Sequence, residues 1–380
     1  MTADKNKQIN VNDISTLNNE ENMRRIKSAS GKPVIGYLCC FAPPEIISAA
    51  GAIPYRITGE PGLDTSAADA YTEPYGCTYV RNILARAVEG KLDFLDGLVI
   101  SHSCDMVQRL YGIWTFYHPL PYSYMFNVPH QTTPWAQDFF KRELHFFRES
   151  LEKFTGKKVT DEKLKAEIAL QNSNRLKIRK LYAMRRESPP LIEGSKILAI
   201  LLAGGSLPAD QFASKLDNVL HNIQKKERQQ RDLRAKPRVM VWGSIMDSPA
   251  LFKIIEQAGG SVVADDTCIG SRVWDKDIPQ SGDPYEDLKE HYFINFQCPR
   301  TDRGPGTERF DYLLQRTKDY NVQGVIGYSI SFCDPHKFDY PDLRDYLKKA
   351  GLPMLLIDDN YSFEPEEAIK TRVQAFLEML

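Results

Sequence analysis

Seven cysteines are the residues of this 380-residue chain best suited to chemistry: Cys39, Cys40, Cys77, Cys104, Cys268, Cys298 and Cys333. Their number is odd, their density is low, and the polar N-terminal stretch lacks the apolar core of a secretory signal. A disulfide framework is therefore not expected, and reduced thiols in a cytoplasmic setting are. Such thiols are buried fillers, catalytic groups or metal ligands, and the filler is the commonest fate of any one of them. No C-x-x-C or H-x-x-x-H pair supplies half of a zinc site. Dispersed soft thiolates suit an iron–sulfur cluster better, a possibility that spacing alone leaves open. P-loop, G-x-G-x-x-G and G-x-S-x-G patterns are absent, so neither nucleotide phosphates nor a hydrolase serine compete for the site.

The elements that must position these thiols repeat. Lys32 to Thr58 reads as a strand (Val34 to Leu38), a turn, a short helix (Pro44 to Ala50) closed by Gly51, and a strand (Ile53 to Ile57). Lys236 to Asp266 reads the same way: strand Arg238 to Trp242, Ser248 as a helix cap, helix Pro249 to Ala258 closed by Gly259, strand Ser261 to Ala264. In each half a helix (Tyr79 to Glu89; Phe310 to Tyr320) then precedes a strand ending in Cys104-Asp105 or Cys333-Asp334, and a last strand candidate follows. Strands alternating with helices mean right-handed βαβ crossovers. The expected fold is α/β, with two duplicated Rossmann-like parallel-sheet domains at 31–134 and 235–380, an intervening helical segment at 135–234, and a flexible N-terminal segment at 1–30. Open parallel sheets place their sites at the carboxyl ends of strands, where Cys39, Cys40, Cys104, Cys268 and Cys333 fall. Cys77 lies just before a helix, where exposed N–H groups favour a thiolate.

Composition narrows the partners. Lys and Arg number 49 against 50 Asp and Glu, a net charge of −1. A chain so balanced has no bulk attraction to nucleic acid or to an anionic membrane. Its longest apolar stretch, around Ile197 to Ala203, is far short of a membrane span. The charged run Gln224 to Lys236 reads as a solvated helix end rather than a nucleic-acid patch.

Several stretches together resemble the 2-hydroxyacyl-CoA dehydratase and benzoyl-CoA reductase superfamily. They are Gly36-Tyr-Leu-Cys-Cys-Phe-Ala-Pro-Pro-Glu45, Ala49 to Arg56, Tyr75-Gly-Cys77 with Arg81, Asp96 to Asp105, Ala264 to Arg272, and Phe332-Cys333-Asp334-Pro335. The resemblance implies a 4Fe–4S cluster held by Cys77, Cys104 and Cys333, with one iron left open. It implies a homologous second subunit, as a heterodimer or homodimer, an ATP-dependent electron-activating ATPase with its own iron–sulfur cluster, and an acyl-CoA substrate. By the same resemblance, an electron of very low potential makes a ketyl radical anion of the thioester, which either expels a 2-hydroxyl or is reduced further. Members commonly carry Ser or Thr where Cys40 stands. Cys40 is therefore a candidate catalytic group, a fourth ligand, or part of a double-cubane 8Fe cluster, with Cys268 and Cys298 as further candidates in that last case and Cys39 more readily structural. Two other catalytic candidates are His102, as proton or hydrogen-bond donor, and Glu45, as an acid–base group or merely a favourable helix-start carboxylate. Arg81 is a candidate for facing a cluster or a CoA phosphate, or for an ion pair. Asp105 and Asp334 read as turn formers and caps. Two rival functions stand beside the leading one: a homodimeric double-cubane reductase of small molecules, and a cluster-free α/β scaffold subunit.

Overall fold

Short runs rich in β-branched and aromatic residues make strands, and full burial of those runs on both faces marks a covered parallel sheet. The computed structural model describes residues 20–226, 236–304 and 306–380. In the front half the chain forms α1 (Glu20–Ser30), β1 (Val34–Leu38), α2 (Pro44–Ala49), β2 (Ile53–Arg56), α3 (Thr78–Val88), β3 (Gly97–Ser101), α4 (Asp105–Tyr117) and β4 (Tyr122–Phe126). Four helices follow, α5 (Pro134–Thr155), α6 (Asp161–Ala183), α7 (Gly194–Ser206) and α8 (Ala209–Lys226). The back half forms β5 (Arg238–Gly243), α9 (Ala250–Gln257), β6 (Ser261–Asp266), α10 (Ser271–Trp274), α11 (Pro284–Lys289), α12 (Glu308–Asp319), β7 (Gly324–Ile330), α13 (Asp334–Lys349), β8 (Met354–Asp359) and α14 (Glu366–Leu377). One π-helical turn, Glu290–Ile294, continues α11.

The strands build two wholly parallel four-stranded sheets, ordered β2-β1-β3-β4 and β6-β5-β7-β8. The order is the same in both, which is the duplication seen in the sequence. In each sheet the chain first steps to one side of the opening strand and then crosses to the other. A switch point therefore opens between β1 and β3, and another between β5 and β7, at the carboxyl ends of the strands. Inner strands β1, β3, β5 and β7 are buried along their whole length, while the outer strands β4 and β8 are partly exposed.

Helices α5 to α8 do not close a core of their own. Buried side chains of α6, α7 and α8 join a cluster that runs through both sheets, and those of α5 and the start of α6 pack with β1, α2 and the π turn. The apolar stretch around Ile197 is α7, wedged against both β2 and β6. Thr160 caps α6, its side chain accepting from the Lys163 N–H.

Two expectations need correcting. Residues 1–30, expected as a flexible lead-in, instead end in α1, which docks through buried Met23 and through a Glu20–Arg86 ion pair. So few apolar contacts hold this helix that a polar stretch does not announce it. Residues 1–19 lie outside the described residues, as do 227–235 of the charged run. Second, Asp105 and Asp334 are not turn residues but the first residues of α4 and α13. Val107, Leu110 and Trp114 supply the helical apolar face of α4.

Candidate functional site

The two switch points open into one cavity, which encloses about 870 Å3 of empty space, its open mouth included. All seven cysteines line it. Cys39 and Cys40 leave β1, Cys104 leaves β3, Cys333 leaves β7 beside Ser244 and Ile245 from β5, and Cys268 follows β6. Cys77, Cys104 and Cys333 are the N-cap residues of α3, α4 and α13. These helices, of 11, 13 and 16 residues, thus turn their free N–H groups and positive dipole ends toward one space. Asp105 and Asp334, exposed at the mouth, follow two of these caps, where a carboxylate is favoured. Two non-glycine residues on the cavity wall hold left-handed backbone, Cys39 at φ 74° and Phe332 at φ 65°. Such strain persists where surrounding structure enforces it, as functional sites commonly do.

The thiols fall into two sets. In the first, burial pushes Cys77 up, with the charges of Cys333 and Cys104 adding to the effect. Cys104 is pushed up to about 12, by burial first and then also by Cys333, and Cys333 to about 11, again by burial first. These three are thiols at neutral pH, so metal binding here must displace protons. His336, which no sequence pattern marks, lies one turn into α13 with Nδ1 3.4 Å from the Cys333 sulfur. Burial holds its imidazole well below the usual histidine range, hence neutral.

Cys40 is the hub of the second set. Hydrogen bonds shared with Cys268, Cys298 and Cys39 hold its proton, and burial adds to that, so its thiol is pushed well up. The Cys39 sulfur is 3.9 Å from that of Cys40. Accepting from Cys40 lowers Cys39 to about 6 and Cys298 to about 7. Arg272, ion-paired to Asp266 at 2.8 Å, also donates from Nη1 to the Cys268 sulfur at 3.5 Å.

Cationic side chains approach the cavity too. Arg56 lines it and donates to the Cys268 carbonyl at 2.7 Å. Arg300 lines it and clamps the chain leaving β3 to the chain leaving β4, donating to the carbonyls of His102, Ser103 and Val128 at 3.0, 3.1 and 2.6 Å, and also to Pro129. In the sequence Arg56 closes the resembling stretch Ala49 to Arg56 without a role attached to it, and Arg300 is marked only by a Cys-Pro-Arg run at 298–300.

The remaining candidates lie elsewhere. Glu45 is fully buried but is not on the cavity wall. Its carboxylate accepts from Arg175 at 3.0 Å and from the Tyr292 hydroxyl at 2.8 Å, tying α2 to α6 and to the π turn. The sequence could not foretell this, because the three residues are 130 and 117 positions apart. The His102 ring packs edge-on against His130, outside the cavity lining. Arg81 pairs with Asp69 and donates to the Pro74 carbonyl, likewise away from the cavity.

Among the described residues, no three Cys, His, Asp or Glu side chains are gathered closely enough to hold a single metal ion. A polynuclear cluster holds its thiolates farther apart than one ion does. Three thiols on the wall of one shared cavity suit that wider spacing, and soft sulfur donors suit iron–sulfur chemistry.

Comparison with known proteins fits this layout. The model of the family described as 2-hydroxyglutaryl-CoA dehydratase, D-component, matches residues 39–380, which takes in every cysteine and every strand except β1. The chain belongs to that family. It is accordingly an enzyme subunit of the dehydratase and benzoyl-CoA reductase type. Relatives include one of the subunits of benzoyl-CoA reductase from Thauera aromatica, 30% identical over 85% of this chain and 84% of that one. The (R)-phenyllactyl-CoA dehydratase beta subunit of Clostridium sporogenes is 27% identical over 92% of both chains. The beta subunit of lactoyl-CoA dehydratase from Anaerotignum propionicum is 25% identical over 96% of both. No helix among the described residues is long and apolar enough to cross a membrane.

Proposed function

We propose that this family member is an iron–sulfur subunit that passes a low-potential electron to an acyl-CoA thioester, with Cys77, Cys104 and Cys333 as ligands of a 4Fe–4S cluster. The observation that carries the reading is the convergence of those three sulfurs, each at a helix N-cap, on one cavity between the two sheets. When bound, the cluster supplies one-electron transfer at a potential set by charge, hydrogen bonds and solvent exposure. The chain supplies the rest. Leu38, Val80, Val107, Ile245 and Ile330 give the cavity apolar walls that keep water from a reactive radical. Three helix N-termini and two buried arginines offset the charge of thiolates. The relatives' names as subunits of acyl-CoA enzymes support a partner subunit, and the proposal includes that this partner is homologous, an acyl-CoA substrate, a separate ATPase as electron donor and a cytoplasmic setting. Because Glu45 and His102 lie off the cavity wall, the reading leaves them without a direct part in the chemistry.

The test is anaerobic reconstitution followed by iron and sulfide analysis and spectroscopy. About four irons per chain, lost when Cys77, Cys104 and Cys333 are each changed to Ala, is the expected result. A colourless, iron-free protein refutes the reading.

A second reading is favoured by one observation, the Cys39–Cys40–Cys268–Cys298 set beside the first three thiols. It is a double-cubane reductase of small molecules, acting as a homodimer. About eight irons per chain, falling to about four in Cys40→Ala, would select it over the first.

A further inference from the structure

Nine arginines of the described residues are buried, and eight of them are answered within the protein. Arg86, Arg175, Arg185, Arg272, Arg309 and Arg316 each pair with a carboxylate. Arg238 and Arg300 have no such partner, yet their guanidinium groups are surrounded by main-chain carbonyls. Arg56 is the exception. Its side chain is 6% exposed, it makes the single hydrogen bond to the Cys268 carbonyl, and no Asp or Glu among the described residues lies within ion-pairing distance.

Its position explains where a counter-charge must come from. Arg56 ends β2 and stands in the wall between two cavities, the cysteine cavity and a second space of about 700 Å3 lined by Tyr37, Arg175 and Tyr292. The helix α7 passes over it at Gly205, where a Cβ would come within 3.0 Å of the Arg56 Cβ, so the glycine keeps room for the side chain. Tyr37 and Tyr79 face it as neutral phenols, both pushed up by burial. Cys40 and Cys268 line the cysteine cavity alongside it, and a negatively charged group held in that cavity would be its partner. A guanidinium stays charged at any working pH, and leaving it buried and unpaired is costly.

Resting on the iron–sulfur reading above, we propose that Arg56 is the fixed counter-charge of the cluster in the cysteine cavity and raises its reduction potential. A permanent positive charge beside a redox centre stabilises the more negative, reduced state. Arg56 is then a positioning residue for charge, and the potential is where it acts.

The test compares wild type, Arg56→Met and Arg56→Lys after anaerobic reconstitution with iron and sulfide. Iron content, midpoint potential by spectroscopic redox titration, and melting temperature with and without the cluster are measured. In Arg56→Met the midpoint falls below wild type by more than replicate scatter. Arg56→Lys restores most of it. The gap between wild type and Arg56→Met stays constant from about pH 6 to about pH 9, since the guanidinium does not titrate there. Loading the cluster also raises the melting temperature less in Arg56→Met than in wild type, whereas an arginine that only packs would lower both forms equally. The proposal is overturned by a wild-type midpoint in loaded Arg56→Met, by a shift that Arg56→Lys fails to rescue, or by an Arg56→Met protein that does not fold even without metal. That last outcome would mean the charge is answered by the protein alone. A wild-type protein that takes up no iron refutes the iron–sulfur reading itself, and this proposal falls with it.

Discussion

Replacing Glu45 with alanine separates a structural carboxylate from a catalytic one. Glu45 is 0% exposed and its ion pair with Arg175 spans 3.0 Å. At that distance and an effective dielectric near 20, two unit charges attract by about 5.5 kcal/mol. Removing one member of a buried pair costs about 3–5 kcal/mol, because the survivor is left uncompensated. Glu45→Ala leaves the Arg175 guanidinium with Asn172 and Tyr292 as its remaining hydrogen-bond partners, and leaves the Tyr292 hydroxyl without its acceptor. We expect a loss of about 4 kcal/mol in urea denaturation of the metal-free protein, a large share of the ~5–15 kcal/mol of a typical fold. Glu45→Gln keeps an acceptor for Tyr292 but not the charge, and its cost stays close to that of Glu45→Ala. The double variant Glu45→Met with Arg175→Met removes both charges and costs less than about 2 kcal/mol. Iron uptake per folded chain is unchanged in all three. A cost for Glu45→Ala within about 1 kcal/mol, or a double variant as damaging as the single one, would show that the charges do not lock the helices together.

Three further outcomes follow from local geometry. Gly243 holds φ +154°, and a Cβ there would sit 2.0 Å from the Tyr328 carbonyl of the neighbouring strand, so Gly243→Ala costs about 3 kcal/mol or more in urea denaturation; tolerance of alanine would refute the geometry. Asp247 accepts from the Gly59 N–H at 2.7 Å and the Tyr361 hydroxyl at 2.6 Å, joining loops of both sheets, so Asp247→Ala costs about 2–3 kcal/mol and Asp247→Asn less, read by the same assay; equal stability in all three proteins would count against this latch. His291 is held well below the usual histidine range by burial, with Arg175 adding to it, so the unfolded chain takes up a proton that the folded chain refuses. Stability is then fully present above about pH 6.5 and falls as the pH drops below it, with a limiting slope of about 1.4 kcal/mol per pH unit, and His291→Gln flattens that slope; an identical pH profile in the variant would refute the buried neutral imidazole.

Much of the scaffold is legible in the residues. Each strand and crossover helix of the repeated unit is a local pattern of apolar runs, caps and glycine stops, and patterns of this kind need only near neighbours to be read. The strand after Ser261 runs on to Asp266, and the helix after Ser248 begins one residue late, because ends depend on the last hydrogen bonds rather than on apolar runs. Helix α4 is hard to read from sequence because the Cys-Asp turn signal that opens it overshadows its apolar residues.

The site divides in the same way. That thiols sit at strand ends and before helices is sequence information, and the resemblance singles out Cys77, Cys104 and Cys333. That all seven meet in one cavity, that Cys40 gathers Cys39, Cys268 and Cys298 around it, that Glu45 is bound to Arg175 and Tyr292, and that Arg56 lacks a carboxylate, are facts of tertiary packing. Chain order fixes which side chains a strand can offer to a switch point, since that follows from local backbone geometry. Which offers meet, and which charges go unanswered, is decided when two sheets separated by about a hundred residues close on each other, and no local pattern records that encounter.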